Sequence, residues 1–215
     1  MSSILVVSEV FYPEGSGTEL ATYLILKLLS QRGFKITVVT GSSKPAKIPH
    51  VKYYVMPYLR YSNRIVKAVR LKLLINNPVF IKLLREHDIL YIPQYTYFLI
   101  PIAKKMGLKV IVHFHNYTPV RPSAVKYFFE PDRVAPFDEL RMAILHEYYA
   151  QASLLRALLS PLPFMIYLLV DRKPVELADK IICVSHRQAE IVARNNPRLT
   201  NKVEVVYNPT STGDR

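Results

Sequence analysis

The sequence predicts an α/β domain built on a parallel sheet with helices on both faces. Seven short runs rich in β-branched residues are each bounded by Gly, Pro, Asn or Ser. Longer stretches of helical periodicity lie between most of them. The first run leads through a glycine-bearing turn directly into a helix start, the opening of a βαβ unit. With 215 residues, half of them hydrophobic and 21% charged, the chain can bury one sizeable core and is too apolar for a disordered or fibrous protein.

Taken in order, the predicted strands are Ile4 to Val10, Ile36 to Thr40, Val51 to Met56, Ile89 to Ile92, Val110 to Phe114, Lys180 to Val184 and Val203 to Val206. A helix from Thr18 to Gln31 stops at Gly33, a residue suited to the left-handed position that ends helices. A second, from about Asn63 to Ile75, breaks at Asn76, Asn77 and Pro78, and a shorter one resumes to Arg85. Phe98 to Lys105 and His186 to Asn195 supply two more. From Asn116 to Phe137 prolines are frequent and periodicity is weak, so this segment is expected to be a long loop or flap. Asp138 to Leu159 is again helical, with Pro161 and Pro163 breaking it before Phe164 to Val170. The run Leu154 to Val170 is the most lipid-like part of the chain. It contains Arg156, Ser160 and two prolines and is too short to span a bilayer, so a helix packed on the sheet is the favoured reading over an interfacial segment.

Charge narrows the partners. The formal net charge is +13, and the stretch from Lys44 to Lys109 carries thirteen Lys and Arg against only Glu86 and Asp88. One region therefore makes most of the field, and an anionic neighbour is expected: phosphate, nucleic acid or a lipid surface. Nucleic acid is the weakest of these, because no nucleic-acid-binding motif is present. If Arg60 to Ile75 is helical, Arg60, Arg64 and Lys67 share one face and Ile65, Val69 and Leu73 the opposite one. That arrangement suits docking on anionic membrane, with a solvated basic face as the plainer reading. The single cysteine, Cys183, lies inside an apolar run and reads as a core residue. No Cys/His cluster has zinc spacing, so an intracellular chain with no structural metal is expected.

Three segments hold chemistry. In Gly15-Ser16-Gly17-Thr18-Glu19 the glycines let backbone approach a ligand, and the helix start favours an anion. A dinucleotide fingerprint is disfavoured there, since Leu20 stands at the last glycine position and Thr40-Gly41 ends the next strand where a ribose-binding acid belongs. Glu19 also completes a capping box with Ser16, so helix capping and ligand contact are equally weighted for it. Next, Val112-His113-Phe114-His115 ends a buried strand in two histidines that alternation puts on one face. His115, at the carboxyl end, is placed for function, whereas His113 reads as a satisfied core residue, and no third ligand suggests a metal. Last, Ser185 and Gln188 form a second capping box after the strand holding Cys183.

Together with the strand that precedes it, Tyr12-Pro13-x-Gly-x-Gly-Thr18-Glu19 resembles the start of glycosyltransferase family four, the retaining enzymes of the GT-B fold. Further along, Asp88-Ile89-Leu90-Tyr91-Ile92 resembles that family's "D-V-I-H-x-H" strand with the histidines replaced by Tyr91 and Gln94 or lost. Val112-His113-Phe114-His115 resembles the strand ending in its active-site histidine. Ala178 to Ser185 resembles "A-D-x-I-I-x-V-S", and Val205 to Pro209 the exit toward a second domain. The resemblance implies the N-terminal half of a GT-B fold over residues 1–208, with 209–215 opening the interdomain hinge and the donor-binding domain absent. It implies transfer of a hexose or similar sugar from a nucleotide sugar to an acceptor, possibly lipid-linked, by a cytoplasmic or peripheral membrane enzyme. Gly15, Ser16 and Gly17 would lie near the donor phosphate and acceptor, with Glu19 beside them, and His115 would contact the donor sugar. Neither metal nor cofactor is implied, and this chain alone is expected to be inactive. The competing reading is a non-enzymatic basic module for anionic membrane or nucleic acid, followed by a nucleotide-dependent oxidoreductase.

Overall fold

The structure, a computed structural model, describes residues 2–60, 73–121, 131–151, 154–159 and 161–210. All seven predicted strands form: β1 (Ser3–Ser8), β2 (Lys35–Thr40), β3 (Lys52–Val55), β4 (Ile89–Ile92), β5 (Lys109–Phe114), β6 (Lys180–Cys183) and β7 (Val203–Val205). They pair in parallel throughout, in the order β3-β2-β1-β4-β5-β6-β7. That order reverses between β1 and β4, which leaves a crevice above their carboxyl ends.

Alternation along the strands sorts the core into two faces. Leu5, Val7, Leu90, Ile92, Val112 and Phe114 point to one side. There they meet α2 (Pro78–Arg85) through Phe80 and Leu84, α3 (Ile100–Lys105) through Ala103, and α8 (His186–Asn195) through Val192. Ile4, Val6, Ile36, Val38 and Tyr91 point to the other, covered by α1 (Gly17–Gln31) through Leu26. Cys183 is fully buried, and burial pushes its thiol up to about 12, as befits a core residue.

Helix ends follow the sequence signals. Gly33 sits at φ 84 just past α1, and the Asn77 side chain accepts from Val79 and Phe80 N–H to cap α2. The strands are stitched at their amino ends as well. Asp179 accepts from Lys104 Nζ and from Val110 N–H at 2.7 Å each, and Asp88 accepts from Ser3 N–H and Oγ.

Between β5 and β6 the chain forms α4 (Pro136–Gln151), α5 (Leu154–Leu159), α6 (Pro161–Tyr167), a π-helical turn (Leu168–Arg172) and the short α7 (Lys173–Val175). Pro161 and Pro163 start a helix here, where the sequence suggests they interrupt one. In the first turn of α6 no intrahelical N–H bond exists for proline to remove. Arg172 ties the π turn to α4 by an ion pair at 2.7 Å with buried Glu139. Among the described residues no helix is long and apolar enough to cross a membrane.

The basic stretch needs a second correction. Leu74 is buried and Leu73 is 58% exposed, the reverse of the projected helix face. Arg60, where the projected helix begins, is itself extended, at φ −76 and ψ 119. Arg64 and Lys67 lie outside the described residues.

Candidate functional site

A cleft of about 350 Å³ opens at the carboxyl edge of the sheet, where the strand order reverses. Its walls come from four chain segments. Glu9 and Val10 follow β1, Gly15 to Glu19 open α1, Gln94 and Tyr95 follow β4, and His115 and Asn116 follow β5. Three of the four predicted loop residues, Gly15, Ser16 and Glu19, thus line one cleft with His115, whereas Gly17 is not among its lining residues.

The loop is built around Glu19. Its carboxylate accepts from Ser16 N–H at 2.6 Å and Ser16 Oγ at 3.2 Å, and also from Gln94 Nε2. With both oxygens engaged and only 4% exposure, Glu19 shapes the loop and does not offer a free carboxylate. Gly15 is required beside it: at φ +95, an added Cβ would lie 2.4 Å from Glu19 Cδ. Gly17 differs, since a Cβ there would meet nothing within 4 Å, and this leaves open space over the first turn of α1. Arg60 also reaches this loop, pairing with Glu14 at 3.0 Å. Gly41 permits that approach, because a Cβ there would sit 2.6 Å from Arg60 Cγ.

On the facing wall, His113 and His115 stack with ring centroids 4.1 Å apart. His113 Nδ1 shares a 2.7 Å hydrogen bond with the buried Tyr91 hydroxyl. Burial, reinforced by His115, lowers His113 to about 3, and burial lowers His115 to about 4. Both rings are therefore neutral at physiological pH. Nε2 of each is buried and makes no hydrogen bond among the described residues. His115 thus presents a neutral imidazole to the cleft, a dipole rather than a cation.

Sequence reasoning missed Tyr95. It sits at φ 57, with Thr96 N–H donating to Gln94 O at 2.8 Å, a γ-turn of the strained hand. Asn116 Nδ2 donates to its hydroxyl at 3.1 Å, so the turns after β4 and β5 are joined across the cleft floor. Two residues at the end of β4 and in the turn after it support the site: Tyr91 holds His113, and Gln94 holds Glu19. Their place at the end of β4 and in the turn after it, beside the topological switch, was the available signal.

At Ser185 the box is a variant. Ser185 Oγ accepts from Gln188 N–H, while Gln188 Oε1 accepts from Val184 N–H one residue earlier than the standard partner.

Solved structures share this architecture. Anabaena Alr3699/HepE in complex with UDP and glucose matches at 14% identity and TM-score 0.50, covering 98% of this chain and 45% of that one. Phytolacca americana UGT2 complexed with UDP-2fluoro-glucose and pterostilbene matches at 13% identity and TM-score 0.57, covering 99% and 55%. The chain thus spans about half the length of these structures, and the likeness establishes the fold, the Rossmann-like N-terminal half of a GT-B fold. No curated protein sequence matches the chain. The sequence of residues 15–213 matches Glycosyltransferase Family 4, and because that match covers nearly the whole length, the chain belongs to this family.

Proposed function

We propose that the chain is the acceptor-side half of an enzyme that moves a sugar from a nucleotide sugar to an acceptor hydroxyl, with retention at the anomeric carbon. One observation carries the reading: His115, just past β5, lines the same cleft as Gly15 and Ser16, at the switch point of the sheet. The related folds, whose structures hold UDP with glucose or UDP-2fluoro-glucose, support a nucleotide sugar as donor.

In this reading the open backbone around Gly17 admits the donor diphosphate or the acceptor, and the start of α1 favours the negative charge that develops on the leaving group. The neutral His115 ring orients the transferred sugar through a hydrogen bond. Glu19, Gln94 and Tyr95 hold the walls in place. A second domain of similar size, filling the half these structures have beyond the matched region, grips the nucleotide. An acceptor carried on a lipid, at the cytoplasmic face of a membrane, suits the basic stretch around Arg60, Arg64 and Lys67.

The test compares two proteins. The 215-residue chain, titrated calorimetrically with uridine and guanosine diphosphate sugars, is expected to bind weakly and to turn over nothing. A chain that also carries a donor-binding half is expected to transfer sugar, with the product's anomeric proton signals reporting retention. Tight nucleotide binding by the 215 residues alone, or inversion in the product, overturns the respective part. Vesicle binding without transfer by the longer chain would favour a non-enzymatic membrane module.

A further inference from the structure

The helices between β5 and β6 turn an apolar face to solvent. Leu154, Leu158, Leu162, Met165 and Leu169 follow one another at spacings of three and four residues, and each is between 52% and 68% exposed. Leu155 and Leu159 flank them and are as exposed. The same segments do bury a side: Ala157, Phe164 and Tyr167 are inward at 3%, 6% and 0%. The exposed leucines are therefore the second apolar face of a seated element, and they are not left out by poor packing. Scattered surface leucines need no explanation, but seven large apolar side chains this exposed within residues 154–169 mark an interaction surface.

Its surroundings decide the partner. From Tyr148 to Val170 the sequence holds one charged residue, Arg156, and no acid. Where the ridge ends Asp171 is buried, and Glu139 pairs with Arg172, Glu176 with Arg198 and Asp179 with Lys104. Lys173, just beyond Leu169, is exposed. Tyr148 and Tyr149, 45% and 75% exposed, stand before the ridge, and tyrosine is the residue type that favours the boundary between lipid and water. A second copy would bring another +13 against the first, whereas an anionic surface attracts that charge.

We propose that the ridge from Leu154 to Leu169 seats in the headgroup–acyl boundary of an anionic lipid bilayer, holding the protein on the membrane without spanning it. The leucine side chains enter the boundary, and the basic stretch supplies long-range attraction. The proposal stands apart from sugar transfer, since it requires neither donor nor acceptor.

The chain contains no tryptophan, so Leu158→Trp places a single reporter on the ridge. With vesicles of phosphatidylcholine mixed with phosphatidylglycerol, its emission is expected to shift to the blue and to be quenched by brominated acyl chains. Leu158→Glu with Leu162→Glu is expected to lower co-sedimentation with these vesicles by more than tenfold, while the circular dichroism spectrum is unchanged because both positions are exposed. Three results overturn the proposal: wild-type protein that stays in the supernatant, Leu158→Trp emission unchanged while the protein is vesicle-bound, or a wild-type dimer in analytical ultracentrifugation that the double variant dissociates. The last assigns the ridge to a second copy.

Discussion

His113, on the face of β5 that α1 covers, stacks at 4.1 Å on His115, which follows the strand, and among the described residues only His113 has a hydrogen-bond partner for its ring, the Tyr91 hydroxyl at 2.7 Å. The two histidines thus divide between support and contact. Tyr91 and His113 form the buried base on which His115 rests, and His115 borders the cleft.

His115→Ala in a chain carrying both domains is expected to lower kcat by more than tenfold, about 1.4 kcal/mol of transition-state stabilisation or more. The folded fraction should stay the same. Normal turnover by a folded variant would remove His115 from the reaction.

Acid should weaken the fold through the same pair. In the unfolded chain histidine takes up a proton near pH 6.5, whereas the folded rings resist down to about 3 for His113 and about 4 for His115. The unfolded state then binds the extra protons below about pH 6.5, so stability is full above that value and falls as pH drops toward 4. The slope is up to about 1.4 kcal/mol per pH unit for each ring. Glu139, whose carboxyl burial lifts to about 7, acts in the opposite sense between 4.5 and 7. The check is therefore a difference: urea unfolding of wild type and His113→Asn across this range, with the variant losing less stability on acidification. Parallel profiles would contradict the buried neutral His113.

Gly15 and Gly17 should separate in their effects. Gly15→Ala forces a side chain into a left-handed conformation against Glu19 and is expected to cost about 1–3 kcal/mol. Gly17→Ala meets open space and should leave the thermal midpoint nearly unchanged while weakening nucleotide-sugar use by the two-domain enzyme. Equal stability losses in thermal unfolding would contradict the difference in environment.

Glu19→Ala leaves Ser16 N–H and Gln94 Nε2 without their acceptor, and the expected loss is about 1–3 kcal/mol. A double-mutant cycle with Gln94→Ala should show coupling between the two, because they share one hydrogen bond across 75 residues of sequence. Additive losses would mean that this bond contributes nothing.

The sequence alone determined the sheet. Seven apolar runs, the glycine at position 33 and the caps at Asn77 and Ser185 are local signals, and local signals set which segments become strands and where helices start and stop. Period-two alternation also predicts that His113 and His115 share a face, and the two rings do stack although His115 lies one residue past the strand. Tertiary structure decided what those residues meet. Glu19 reads from sequence as cap or ligand, and Gln94, arriving from β4, engages its remaining oxygen and makes it a support. Tyr95 in its strained turn, Arg60 against Glu14 and Gly41, and the outward face of the Leu154–Leu169 ridge are equally long-range outcomes. Helical periodicity says that a segment has an apolar side. Which side is buried depends on the elements that arrive against it, and those are chosen by the order of strands in the sheet.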